Sequence, residues 1–194
     1  MKSSDNIFFD LSALKFLGPH AIVGKTVRVR KPERVSIGEH SIIDDFTYIS
    51  CALALGRYSH VGANSVLIGG DGRIAIGDFV NIAPGCRLIC ASNDYAGGGL
   101  VGPAIPAEYA GKSITADVRL EDHVLLGAGT VILPGVRVPE GVSTGALTLI
   151  TEKTKLEPWT LYAGTPARPR RRRESKAILD AAARLMAGKG GTPA

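Results

Sequence analysis

The chain has 194 residues, 45% of them hydrophobic and 21% charged, enough for one well-buried domain with a small appendage. No apolar run approaches the roughly 18 residues of a membrane span, so stable membrane insertion is not expected. The net charge of +5 equals the contribution of Arg168, Arg170, Arg171, Arg172 and Arg173. The remainder is close to neutral and is not expected to bind nucleic acid.

Residues 1–16, MKSSDNIFFDLSALKF, carry Asp5 and Asp10 inside their apolar stretch. They lack a clean apolar core and a small-residue cleavage site, so they read as an N-terminal cap, and a cytoplasmic location is expected. From Leu17 an aliphatic anchor recurs every six residues: Leu17, Val23, Val29, then Ile37, Ile43, Ile49, Leu55, Val61, Leu67, then Ile76, Ile82, Leu88. After a long break the beat resumes at Leu120, Leu126, Ile132, Val138 and Ile150, with Thr144 as its one polar member. Glycine often follows the anchor, and a small or β-branched residue such as Ser41, Thr47, Ser59, Cys86 or Thr130 stands four places on.

Six residues is not a multiple of a helical turn, and plain strand pairing would repeat every two. A short strand plus a tight corner, repeated, is a β-solenoid unit that turns one large and one small side chain inward. Three units close a triangular coil of 18 residues, so the eighteen anchors predict about six coils. Interruptions at 35–36, 73–75 and 94–119 follow the third, ninth and twelfth units, which places all three at one corner. The 26 residues of the last far exceed the usual connection of about 4–6, and one-sided insertions mark a binding face.

Cys51, Cys86 and Cys90 are odd in number and lack a CxxC pair, which favours free thiols over disulfides or structural zinc. Residues 17–167 thus form the solenoid domain with its inserted loop. Residues 168–194 hold the basic run, a helix expected over 174–187 from the spacing of Ile178, Ala182, Leu185 and Met186, and a frayed tail.

The hexads, the long loop, and the stretch VLLGAGTVILPGVRVPEGVSTGALTLITEK followed by PWTLYAGTPAR resemble the hexapeptide-repeat acyltransferases. The resemblance is to galactoside, maltose and xenobiotic acetyltransferases and to O-antigen and capsule sugar acetyltransferases, over about residues 17–173. It implies an all-β, left-handed parallel β-helix, a homotrimer, and acetyl-CoA as donor with no metal. It also implies transfer to a hydroxyl or amine of a sugar or nucleotide sugar in cell-surface polysaccharide synthesis. By the same resemblance CoA would lie beside Gly127, Ala128, Gly145, Ala146 and Thr151, with its phosphates at Arg168 and Arg171. Glu152 stands where many relatives carry lysine. Backbone amides near Gly127 or Gly145 are candidates to hold the thioester oxygen.

The family's usual catalytic histidine falls at Asn93, in CASNDY. An amide cannot take a proton; the adjacent Asp94 can, which makes Asn93 and Asp94 the candidate catalytic pair. Tyr95 and Asp71 are candidate acceptor contacts, although Asp71 in GGDGR also suits a plain turn. His60 is a reserve base. His20, His40 and His123 share one outward column, which keeps open a metalloenzyme like the γ-class carbonic anhydrases; a non-catalytic trimeric scaffold is the other alternative. Without the usual histidine, an amino-sugar acceptor is expected to outperform a hydroxyl one, because a neutral amine is nucleophilic without a base.

Overall fold

The computed structural model describes residues 6–188, so the expected frayed tail and the first part of the N-terminal cap lie outside the described residues. Every coil turns through three parallel faces. The first stacks Phe16–Leu17, Val35–Ile37, Ala52–Leu55, Arg73–Ile76, Val118–Leu120 and Arg137–Val138. The second stacks Ile22–Val23, Ile42–Ile43, His60–Val61, Asn81–Ile82, Leu125–Leu126, Ser143–Thr144 and Thr160–Ala163. The third stacks Arg28–Val29, Tyr48–Ile49, Val66–Ile68, Arg87–Ile89, Val131–Ile132 and Leu149–Ile150. Register follows the anchors: Ile43 lies over Val61, Val61 over Ile82, and Ile82 over Leu126.

The anchors are the core. Ile43, Ile49, Val61, Leu67, Ile82, Leu88, Leu126, Ile132, Val138 and Ile150 are wholly buried, and Leu17 alone, at the open end, is half-exposed. Thr144 is tolerated inside because its hydroxyl meets that of Thr130 at 2.8 Å and accepts from the Gly127 N–H at 3.0 Å. The small inward residues hydrogen-bond the neighbouring coil, as Ser59 does to the Gly77 carbonyl at 2.9 Å. The three cysteines are free and buried.

The solenoid extends past the six expected coils into a partial seventh. Its strand Thr160–Ala163 pairs with Ser143–Thr144 and turns Tyr162 inward, its hydroxyl accepting from the Glu157 N–H at 2.8 Å. An aromatic in place of an aliphatic anchor hides this turn from the six-residue pattern. Most of the basic run is itself a strand: Arg168–Arg172 closes the second face antiparallel to Thr160–Ala163. The helix is Lys176–Ala187, with Ile178, Ala182 and Met186 half-buried along one side. No helix among the described residues is long and apolar enough to cross a membrane.

The three corners differ. Between the first and second faces, His20, His40, Tyr58, Phe79, His123 and Trp159 stack as a ladder, with ring centroids 4.7 to 5.8 Å apart. Each has φ between 51° and 61°, the left-handed region a tight corner demands. Gly141 holds that place in its own coil; a Cβ there would collide with the Trp159 ring, which leans across the gap to His123. Between the second and third faces the corner is lean only in its middle, at Gly85 and Gly129, between the exposed Phe46 and Leu147, and Leu147 leans over Gly129. The third corner carries every insertion, as the spacing predicts.

Candidate active site

The longest insertion is an arm, not a loose loop. Ala91–Asn93 pairs antiparallel with Ser113–Thr115, and the first face resumes at the fully buried Val118. Asn93 pairs with Ser113 at the last rung. Asp94 follows, half-buried, its N–H donating to the Lys112 carbonyl at 3.0 Å. Its Oδ1 accepts from the Ala96 N–H at 2.8 Å, which is a local turn of the kind aspartate favours. Beyond it the arm is unclothed: Tyr95 is 91% exposed, and Leu100, Val101, Tyr109 and Ile114 are all more than half exposed. A large apolar surface of this kind marks a contact site.

At the arm's root a cavity of about 300 Å³ is lined by Ser92, Ile114, Leu133, Pro134, Thr151, Glu152 and Lys153. Thr151 also borders a second cavity of about 580 Å³ with Lys153, Lys155 and Arg168. Thr151 and Arg168 are therefore brought together, but Arg171 is not with them. It lines a separate hollow with Leu125, Ser143 and Leu161. Lys153 and Lys155 supply the cationic character that Glu152 does not. They stand one and three residues past it in TEKTK, where a reading fixed on a single position overlooks them.

The amides of Gly127 and Gly145 themselves are not free. The Gly127 N–H donates to the Thr144 carbonyl and the Gly145 N–H to the Tyr162 carbonyl, the ordinary bonds between coils. The next residues differ. Ala128 and Ala146 are exposed, and among the described residues their N–H groups have no hydrogen-bond partner. They open onto the corner between the second and third faces, whereas Asp94 leaves from the corner between the third and first. Within one chain the arm and the free amides stand at different vertices of the triangle.

Asp71 also lies at the insertion corner, 90% exposed, facing Arg34 at 3.3 Å and Lys31 at 3.6 Å. The imidazoles of His20 and His40 stack on each other, and Tyr58 and Phe79 separate them from His123, so the three do not converge on one point. Among the described residues, no group of three or more His, Cys, Asp or Glu side chains is placed to hold a metal ion. His60 lies on the second face, away from its own chain's arm.

No protein-family model matches the chain. Among solved structures it is 32% identical to AntD, an N-acyltransferase from Bacillus cereus seen in complex with dTDP and 3-hydroxybutyryl-CoA. That match covers 95% of this chain and 100% of that one, with a TM-score of 0.85. A variant of the same enzyme, 32% identical over 94% of this chain and 98% of its own, holds dTDP-4-amino-4,6-dideoxyglucose and coenzyme A, with a TM-score of 0.84. The dTDP-4-amino-4,6-dideoxy-D-glucose acyltransferase of Escherichia coli is 29% identical over 180 residues, 88% of this chain and 91% of its own. A hexapeptide-repeat acetyltransferase of Vibrio cholerae, 22% identical over 84% of this chain and 73% of its own, shares the fold with a TM-score of 0.55. With identity of this level along the whole of AntD, on the same coils, this chain belongs to the hexapeptide-repeat acyltransferases and is an acyltransferase.

Proposed function

We propose that the chain transfers an acyl group from acyl-CoA to the amino group of a dTDP-linked amino sugar, in a homotrimer whose sites lie between neighbouring chains. The observation that carries the substrate is the full-length likeness to an enzyme that holds dTDP-4-amino-4,6-dideoxyglucose and coenzyme A together. The missing histidine at Asn93 agrees with it: an amine attacks without prior deprotonation, whereas a sugar hydroxyl does not.

The assembly is supported by the separated half-sites and by the bare arm. Laying the arm of one copy over the lean corner of the next would cover Leu100, Val101 and Ile114 and bring Asp94 to the partner subunit's free amides. Asp94 then orients the amine, accepting its N–H through the oxygen the local turn leaves open. The amine lone pair attacks the thioester carbon, the oxygen turns negative, and the Ala128 N–H stabilises it. Collapse breaks the carbon–sulfur bond with its electron pair on sulfur, and the thiolate takes up the excess proton of the nitrogen, so amide and free thiol result. Arg168, with Lys153 and Lys155, binds the CoA phosphates by charge-assisted hydrogen bonds.

The test is direct. The purified protein is given acetyl-CoA or 3-hydroxybutyryl-CoA with dTDP-4-amino-4,6-dideoxyglucose, or with a matched neutral sugar. Free thiol is followed by absorbance and the product by mass spectrometry. Thiol release with the amino sugar and an N-acyl product are expected. Equal or faster release with the hydroxyl sugar overturns the acceptor assignment. Light scattering checks the assembly: chains of 20.3 kDa should travel as about 60 kDa.

A further inference from the structure

The corner that throws out the arm carries charge on both sides of it. Along that vertex the first coil ends in Arg30, Lys31 and Arg34, the third in Asp71, the fourth in the arm, and the sixth in Lys153 and Lys155. The second coil, at Ser50 and Cys51, and the fifth, at Leu133 and Pro134, carry no charge there. The cations beyond the arm border the cavities at its root and at Arg168. The cations before it take no part in the reaction above.

Lys31 and Arg34 converge on one carboxylate. Arg34 Nη1 donates to Asp71 Oδ1 at 3.3 Å and Nη2 to the Asp71 carbonyl at 3.1 Å, while Lys31 Nζ stands 3.6 Å from the same Oδ1. The Asp71 side chain is 90% exposed and that of Lys31 47%, and an ion pair this open adds little stability. It also leaves donors to spare: the guanidinium has five N–H groups, and an ammonium at 3.6 Å makes no hydrogen bond. The other charged residues on this stretch of the vertex are the cations Arg30 and Arg73 and the acids Glu33 and Asp117. Asp117 Oδ1 is occupied, accepting from the Arg73 N–H at 2.9 Å. The turn that presents Asp71 is seated on the root of the arm. The Gly72 N–H donates to the Gly69 carbonyl at 2.9 Å, and a Cβ on either glycine would collide with the Cys90 thiol, one residue before the arm's first strand Ala91–Asn93.

We propose that Lys31 and Arg34 bind the diphosphate of the nucleotide-sugar acceptor, and that Asp71 keeps the two cations together until that anion displaces it. This rests on the amino-sugar reading above. The spacing suits the ligand. Asp71 stands one coil, about 5 Å, before the arm's root, and Asp94 lies three residues, roughly 10 Å, out along the arm. A hexosyl diphosphate carries its charge at one end and a 4-amino group across the ring at the other. With the charge at Lys31 and Arg34, the amine comes to the Asp94 carboxylate. Acyl-CoA, held by Lys153, Lys155 and Arg168, approaches from the opposite side of the arm. Two polyanions are thus kept apart, each on its own cations, and only their reacting ends meet.

The experiment is titration calorimetry with dTDP and, separately, with CoA, on the wild-type protein, Lys31→Gln, Arg34→Gln, Arg34→Lys and Asp71→Asn. Loss of one charge-assisted phosphate contact should weaken dTDP binding about 10-fold in each of the two Gln variants and leave CoA affinity unchanged. The KM for dTDP-4-amino-4,6-dideoxyglucose should rise by a similar factor with kcat retained, because a diphosphate remote from the reacting nitrogen is bound equally before and during transfer. Arg34→Lys keeps the charge without the fork and should recover part of the affinity. Asp71→Asn removes the carboxylate that the anion displaces, so its dTDP affinity should rise. Thermal melts confirm that the variants are folded; Lys31, exposed and without a hydrogen bond, can be replaced at little cost to the fold. Wild-type dTDP affinity in both Gln variants, or an equal loss of dTDP and CoA affinity, overturns the proposal and leaves the amino-sugar function standing. Wild-type protein that binds CoA but not dTDP overturns the function, and the proposal falls with it.

Discussion

Two corners of the same triangle follow opposite rules. The one between the first and second faces is filled by a ladder of rings from His20 to Trp159, in every coil but that of Gly141. The one between the third and first faces is interrupted repeatedly, and its longest insertion lifts Asn93 and Asp94 clear of the solenoid. The ladder closes on itself: Arg173 lies over Trp159, 5.7 Å from the ring centroid, and donates to the carbonyls of His123 and Gly141. The arm ends in exposed tyrosines and aliphatics with nothing over them. A corner that satisfies itself within the chain stabilises the coil stack. A corner that leaves its surface open is available for substrate and for a second copy.

The largest expected effect comes from breaking the ladder. Phe79→Ala removes two stacked contacts, to Tyr58 and His123, and puts alanine at a φ of 57°. Unfolding free energy should fall by about 2–4 kcal/mol, with kcat/KM of the folded protein unchanged. Chemical denaturation and steady-state kinetics on one preparation check this. A large loss of kcat/KM with little loss of stability would show that the ladder belongs to the site.

Asp94→Asn is the converse substitution. It keeps the turn to Ala96 and removes the charge. Losing one charge-assisted contact to the amine should cost about 1.5–3 kcal/mol in transition-state binding, or roughly 10- to 150-fold in kcat/KM. The effect should fall mainly on the acceptor's KM, and the melting temperature should stay within a degree or two. Equal KM and kcat for variant and wild type would remove Asp94 from the acceptor site.

How far the sequence reveals the molecule follows the same division. Inward anchors repeat because every coil is stacked on one like it, so Ile43, Val61, Ile82 and Leu126 betray the fold through spacing alone. Thr144 fits the beat because Thr130 satisfies it. Tyr162 escapes because an aromatic with a hydroxyl does not look like an anchor, although it stands 18 residues past Thr144, one full coil. Site residues have no such repetition. Arg168 and Arg171 stand three residues apart on one strand but line different cavities. The free amides of Ala128 and Ala146 depend on which N–H each coil commits to the next, a matter of backbone direction that residue identity does not encode. His60 Nε2 lies 2.8 Å from Asp44 Oδ2 and His60 Nδ1 3.0 Å from Asn81 Oδ1, a cluster over three coils that a pattern read along one strand at a time passes over.

The donor end should show a smaller split. Arg168→Ala removes a cation from the cavity it shares with Thr151, Lys153 and Lys155, and should weaken acyl-CoA binding by about 1–2 kcal/mol in calorimetry. Arg171→Ala, in the other hollow, should weaken it by less than half as much. The reverse order would move the phosphates onto the second face.

The smallest effect belongs to the ladder corner. Glu121 stands where the earlier coils carry Gly18, Gly38, Gly56 and Gly77, at the entry to that corner. Its carboxylate accepts from Arg137 Nε at 2.6 Å and from the Glu140 N–H at 3.2 Å. Partial burial pushes its pKa up, but those two hydrogen bonds and the positive charges of Arg137 and Arg119 together outweigh it and hold the group below the usual carboxylate value. A pKa lower in the folded than in the unfolded chain gives stability that is present above the unfolded value. That stability is lost as pH falls through the folded one. Glu121→Gln should therefore cost about 0.5–1 kcal/mol near neutral pH, discounted for the exposure of Arg137. The difference from wild type should begin to shrink as pH falls past about 4, near the ordinary glutamate value, and vanish only below the lower folded-state pKa. Turnover should not change at any pH, because this corner fastens the coils and takes no part in the transfer. A change in kcat of even a few-fold would mean that the ladder corner and the arm corner are coupled through the first face that joins them.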